Sequence, residues 1–305
     1  MNKLIGFTVA SVSLAVVALW PRPAPIDVPT MLKLRPSFEE EFGGRTLDRT
    51  RWRTSYGPQG DGQATVARRS LYGNAEREIY VTPDYLGLGI NPFTVANSAL
   101  TIIARPLDQS ARTAIGIQLA SLPDDQRNGP LKHLGYSSGL ITTQGRFAQQ
   151  YGYFEMRARW TLGKGLWPAF WLLPVDGGWP PELDIMEAHG DKPTVVFQTK
   201  HSKVEATEPH RVAINGSPSD YHRYGMLWTP STIRFYVDGY ETVRTMPPAD
   251  ASQPMYLLAN LAVGGTWPGQ PDSSTGFPAT MDIDWIRAWA LPQGWQEGRL
   301  GSLDP

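Results

Sequence analysis

The chain has 305 residues, no cysteine, and 28 Lys plus Arg against 29 Asp plus Glu, for a net charge of -1. The absence of cysteine excludes disulfides and thiolate metal sites, and the balanced charge gives no general attraction to nucleic acid or to an anionic membrane. With 11 Trp, 12 Tyr, 10 Phe, 30 Gly and 27 Pro, the composition favours pleated strands joined by turns over long helices.

Taken in chain order, Lys3 precedes an apolar stretch from Leu4 to Trp20. Residues 1–20 therefore read as a signal peptide or, left uncleaved, an N-terminal anchor. The expected location is secreted or periplasmic, with attachment to the membrane only through that segment. Pro21, Pro23, Pro25 and Pro29 mark residues 21–36 as a Pro-rich linker. A single large domain is expected over 37–290, and a tail of few apolar residues, expected to add little to the core, follows over 291–305.

Within the domain, short alternating runs broken by Gly, Pro, Asn and Asp, without a long 3.6-residue period, predict an all-β fold. The predicted strands are Leu100–Ala104, Tyr151–Trp160, Ala169–Leu173, Thr194–Lys200, Tyr221–Trp228, Ile233–Val237 and Met281–Trp289. In the second, Phe154, Met156, Ala158 and Trp160 alternate with Tyr153, Glu155, Arg157 and Arg159. One face is thus apolar and the other charged, as in a half-buried antiparallel strand. Ser121 to Lys132, rich in Pro, Asp, Asn and Gly, reads as a long surface loop. Asp238-Gly239 between two strand runs predicts a hairpin. Together these predict a two-sheet antiparallel β-sandwich.

The segment Pro181-Glu182-Leu183-Asp184-Ile185-Met186-Glu187 carries the chemistry. Residues two apart share a strand face, so Glu182 and Asp184 point together while Leu183 and Ile185 point to the core. Glu187 has the wrong parity and would face the core, where an unpaired carboxylate is costly. A β-bulge at Ile185 or Met186 would return it to the face of the other two acids. Glu182 and Glu187 would then sit roughly 13 Å apart at Cα, and inward-leaning side chains could reach the ~5 to 5.5 Å that retaining glycosidases use. Three acids at this spacing are a weak signal alone; Leu183, Ile185, Met186 and the flanking Trp179 supply the apolar surroundings that raise carboxyl pKa values.

This segment resembles the E-x-D-x-x-E signature of glycoside hydrolase family 16, the laminarinase and lichenase family, in its bulged form. Other segments match it in order: Glu40-Glu41-Phe42, Gly73-Asn74-Ala75-Glu76, Ser138-Gly139-Leu140-Ile141-Thr142-Thr143, Tyr151 to Glu155, Gly165 to Pro174, Asn260 to Gly269 and Met281 to Arg287. The resemblance implies a jelly roll with a concave sugar cleft and an endo-acting, retaining hydrolase of β-1,3- or mixed β-1,3-1,4-glucan, including bacterial exopolysaccharides. It implies Glu182 as nucleophile, Asp184 as assisting acid and Glu187 as general acid/base. Asn74, Trp167, Trp171 and His201 would contact substrate, the two tryptophans by stacking on sugar rings. No cofactor is implied for catalysis, but a structural calcium is, with Glu41 and Asp284 among its ligands. Leu140 and Thr266 stand where many laminarinases have Arg and Asn, so donors that select the sugar differ here.

Two other functions use the same sandwich. A transglycosylase would pass the glycosyl-enzyme to a sugar instead of water, and a glycan-binding module would lack catalysis; retention of Glu182, Asp184 and Glu187 argues against the latter. There is no H-E-x-x-H pair, the signature of a zinc hydrolase. A monomer acting on a polysaccharide is expected.

Overall fold

The computed structural model describes residues 24–56, 65–124, 129–207 and 209–304. The proposed signal or anchor segment at 1–20 lies outside the described residues. Among those described, no helix is long and apolar enough to cross a membrane.

Strands dominate and form two sheets. The predicted strands are all present, with ends displaced by at most three residues: Ala99–Pro106, Gly152–Trp160, Leu166–Pro174, Val195–His201, His222–Trp228, Ile233–Val237 and Ala279–Ala290. One sheet has six strands, in the spatial order His210–Ala213, Val195–His201, Glu182–Glu187, Leu166–Pro174, Met255–Val263 and Leu140–Thr142. The other is larger, with Gly152–Trp160 flanked by His222–Trp228 and Ala279–Ala290. The hairpin at Asp238-Gly239 joins Ile233–Val237 to Tyr240–Thr245, both turn residues having positive φ, as a tight turn between twisted strands requires.

The sheets meet through alternating apolar side chains. Phe154, Met156 and Ala158 from the larger sheet face Phe170, Leu172, Leu183, Leu257 and Ala259 from the smaller in one buried cluster. This leaves the second face of the six-stranded sheet free for the cleft.

Four sequence expectations need correction. Residues 21–36 are not simply a linker. Val28–Leu32 is a short helix capped by Asp27, and Val28, Leu32 and Leu34 are buried. Nor is the tail over 291–305 loose, since Leu300 and Leu303 are buried in the same cluster. Both pack on Tyr153, Leu227 and Tyr236. That is why Tyr153 and Glu155, placed by alternation on the exposed face, are buried; the Tyr153 hydroxyl donates to Glu155 Oε1 at 2.9 Å. Finally, Gln109–Ala120 is an α-helix with Asp108 as its N-cap, its side chain accepting from Ala111 N at 2.8 Å. Only Ala111 and Ile115 are buried along it, too sparse a stripe to register as a helical period. The expected loop from Ser121 to Lys132 runs from the end of this helix into a turn whose Leu131 is buried; residues 125–128 lie outside the description.

Candidate active site

The bulge is present where parity demanded it. Against Leu166–Pro174, Ala169 pairs with Glu187, Phe170 with Met186 and Trp171 with Asp184, so Ile185 has no opposite residue. On the other side, Phe197 pairs with Glu187 and Thr199 with Asp184, leaving Gln198 to face two residues. Ile185 and Met186 both enter the core, and Glu187 returns to the face of Glu182 and Asp184. All three carboxyls line a cleft of about 790 Å³, within the range of ligand-binding clefts.

Each glutamate is held by a tryptophan. Trp179 Nε1 donates to Glu182 Oε2 at 2.9 Å, and Trp167 Nε1 donates to Glu187 Oε1 at 3.0 Å. Asp184, which is 2% exposed, lies with its Oδ2 3.0 Å from His201 Nε2, and the same nitrogen is 3.5 Å from Glu182 Oε1. Burial, then the neighbouring Asp184 charge, raises Glu182 well above the usual carboxylate range. Burial, then Glu187, does the same to Asp184. Glu187 is pushed up to about 7 by burial and by the charge of Glu182.

Three carboxyls this close titrate as a group, and ionisation distributes according to solvation and donors. Asp184 is the most buried and loses most by ionising, so it keeps a proton. Glu182, freed of that neighbour's charge and facing Trp179 N–H and His201, is the natural anion. Glu187 then faces a negative Glu182 and retains its proton near neutrality. One ionised and one protonated glutamate are the pair that retention needs.

The other sequence-predicted residues fall in two groups. Asn74, Trp167, Trp171 and His201 all line the cleft. Trp171 is only 6% exposed; its Nε1 donates to Asn260 Oδ1 at 2.7 Å and its ring lies 6.3 Å from that of Tyr56, so it forms floor more than platform. Trp167 is more open and packs against Trp267 at 5.1 Å. Gly265, beside both rings, has φ 129°, a conformation that side-chain-bearing residues rarely adopt, and a Cβ there would press on Pro268 Cδ at 3.2 Å. Tyr56, Glu76, Trp267 and Asn260 also line the cleft and were not singled out from sequence. The last three lie within motif-matching segments; Tyr56 lies in none.

Glu41 and Asp284 do not form a calcium site. The Glu41 carboxylate is bound by both Nε and a terminal nitrogen of Arg287, at 2.7 and 2.9 Å, and Asp284 is paired with Arg157. The Glu41 pair is a two-bond fork and the Asp284 pair a single contact, so each carboxylate is engaged by its own guanidinium and the two share no cluster of oxygens for a hard cation. Among the described residues, the grouping of acid and histidine side chains close enough to share an ion is Glu182, Asp184 and His201, which lies in the cleft itself. EDTA is therefore expected to leave melting temperature and activity unchanged. A drop of several degrees on chelation, reversed by Ca²⁺, would show the expectation wrong.

Residues 106–287, more than half of the chain, match the profile of Glycosyl hydrolases family 16. Two proteins of Rhizobium meliloti, the endo-1,3-1,4-beta-glycanases EglC and ExsH, are each 40% identical to it, over 229 and 233 residues. Each alignment covers 74% of this chain and 46% of the relative, so the chain spans about half the length of these curated relatives. The catalytic domain of an endo-1,3-beta-glucanase (laminarinase) from Thermotoga petrophila superposes with a TM-score of 0.68 at 28% identity, covering 85% of this chain and 99% of that one. On these matches and the bulged carboxylate strand, the chain belongs to glycosyl hydrolase family 16.

Proposed function

We propose that this chain is an endo-acting, retaining glycosidase that hydrolyses β-1,3- or mixed β-1,3-1,4-linked glucan. The observation that carries the reading is the bulge, which puts Glu182 and Glu187 on one cleft face, each held by a tryptophan N–H. In the first step the Glu182 carboxylate attacks the anomeric carbon while Glu187 gives its proton to the departing glycosidic oxygen. In the second, Glu187 takes a proton from water, whose oxygen attacks the same carbon and frees Glu182. Asp184, holding its proton beside Glu182, stabilises the charge that returns to Glu182 as the intermediate breaks down. The names of the two Rhizobium relatives, endo-1,3-1,4-beta-glycanases, support the linkage class, and a bacterial exopolysaccharide with such linkages is a further substrate to test. The apolar segment at residues 1–20 supports an exported enzyme.

The test is a product screen on laminarin, lichenan and a succinoglycan-type polymer. Reducing ends should appear from at least one, and NMR of the first products should show the β-anomer before mutarotation. An initial α-anomer would exclude retention. Longer transfer products outnumbering hydrolysis products would favour a transglycosylase.

A further inference from the structure

Glu76 ends a one-way chain of hydrogen bonds at the cleft wall. Trp171 Nε1 donates to Asn260 Oδ1 at 2.7 Å, Asn260 Nδ2 to the Tyr80 hydroxyl at 3.0 Å, and that hydroxyl to Glu76 Oε2 at 3.5 Å. The same carboxyl accepts from Leu71 N at 3.3 Å and from Asn74 Nδ2 at 3.1 Å. Glu76 is 2% exposed yet lines the cleft. An ionised carboxylate offers no proton, so the Asn74 amide can be oriented only with its nitrogen toward Glu76. Its carbonyl oxygen is the atom left for the cleft.

Glu78, directly behind, keeps Glu76 in that state. Its side chain is fully buried; Oε2 accepts from Val263 N at 2.7 Å, and the carboxyl also lies within hydrogen-bonding reach of Glu76. Two neighbouring carboxyls in so dry a place do not both ionise. Burial raises both, and Glu78, pressed also by the charge of Glu76, rises further. Glu78 therefore holds the proton, and Glu76, with three donors pointed at it, is the anion.

We propose that Glu76 is a positioning residue for substrate: by fixing the Asn74 carbonyl toward the cleft, it makes this wall accept a hydrogen bond from a sugar hydroxyl. A sugar whose hydroxyl is capped at that point is disfavoured, because it leaves the carbonyl unpaired. This rests on the glucanase reading of the cleft.

The experiment is Glu76→Gln assayed on laminarin, beside Asn74→Ala and the double variant. The glutamine amide sets donor against donor and releases Asn74. KM should rise about tenfold, the loss of one hydrogen bond, with kcat within about threefold, because the contact is made in ground and transition states alike. Since Glu76 acts through Asn74, the double variant should be no worse than Asn74→Ala alone. An unchanged KM in Glu76→Gln, or strictly additive effects, would overturn the proposal. Should Glu76→Gln not fold, the wild-type protein still decides: the Asn74 side-chain amide, assigned by its absence from the Asn74→Ala spectrum, should exchange slowly with solvent. Exchange at the rate of a free asparagine would reject the inference. Wild-type inactivity on laminarin, lichenan and the succinoglycan-type polymer alike sinks the glucanase reading, whereas an active wild type with an indifferent Glu76→Gln sinks this proposal alone.

Discussion

Glu182→Gln should reduce hydrolysis of every polymeric substrate by at least about a thousandfold, because an amide cannot form the glycosyl-enzyme bond. The fold should survive. Glutamine keeps the shape of the side chain and an oxygen to accept from Trp179 Nε1, and the strand is held in register on both sides by pairing that does not involve the side chain. Near-normal melting with lost turnover would separate chemistry from stability; activity within tenfold of wild type would remove Glu182 from the nucleophile role. Binding of laminarin should persist in this variant, since the cleft aromatics and Asn74 are untouched.

Changes at Glu187 should produce a different pattern, in which activity and stability move in opposite directions. Glu187→Ala removes the proton donor, so polymeric substrates with poor leaving groups slow by roughly 10²- to 10⁴-fold. Activated aryl glycosides, which need little protonation, should lose much less. Azide should partly restore turnover of activated substrates, because it can enter the space left by the side chain and attack the intermediate held on Glu182. In the wild type, the alkaline limb of kcat/KM should fall near pH 7, where Glu187 ionises. Stability follows from the same displacement. A carboxyl whose folded value is raised to about 7 from an ordinary 4.5 binds its proton more tightly in the folded state. Wild-type stability therefore declines as pH rises from about 4.5 through 7 and levels off above. Glu187→Gln has no such decline, so it should be the more stable protein above pH 7, by at most roughly 3 kcal/mol, and no more stable near pH 4. Denaturation at the two pH values decides; an equal difference at both would mean the carboxyl is not held protonated.

Much of this was legible in the sequence because strand alternation and parity are local. The mismatch of Glu187 with Glu182 and Asp184 was enough to require the bulge now seen beside Ile185, and alternation found the strands that flank it. What local pattern could not show is covering by distant chain. Val28, Leu32, Leu300 and Leu303 are too few and too scattered to announce a cluster, yet they bury half of the strand face that Glu155 shares. The helix at Gln109–Ala120 was missed for a related reason, since it offers only Ala111 and Ile115 to the interior. The arginine partners of Glu41 and Asp284 could not be foreseen, because they come from strands far away in sequence. Trp171 likewise shares a strand face with Trp167 as spacing required, but Tyr56, from a separate segment, covers it.

The bulge has one more effect, which is dielectric. A regular strand would send one side chain inward between the two acids' positions for each one sent out; here Ile185 and Met186 both go inward, fully buried. The acid pair thus rests on two consecutive apolar side chains in a close-packed interior. Polarisable solvent is kept away from one side of the acid pair before any sugar arrives to exclude it from the other. The residue that corrects the direction of Glu187 also lowers the permittivity beneath it, and so helps set the pH at which it can act as an acid.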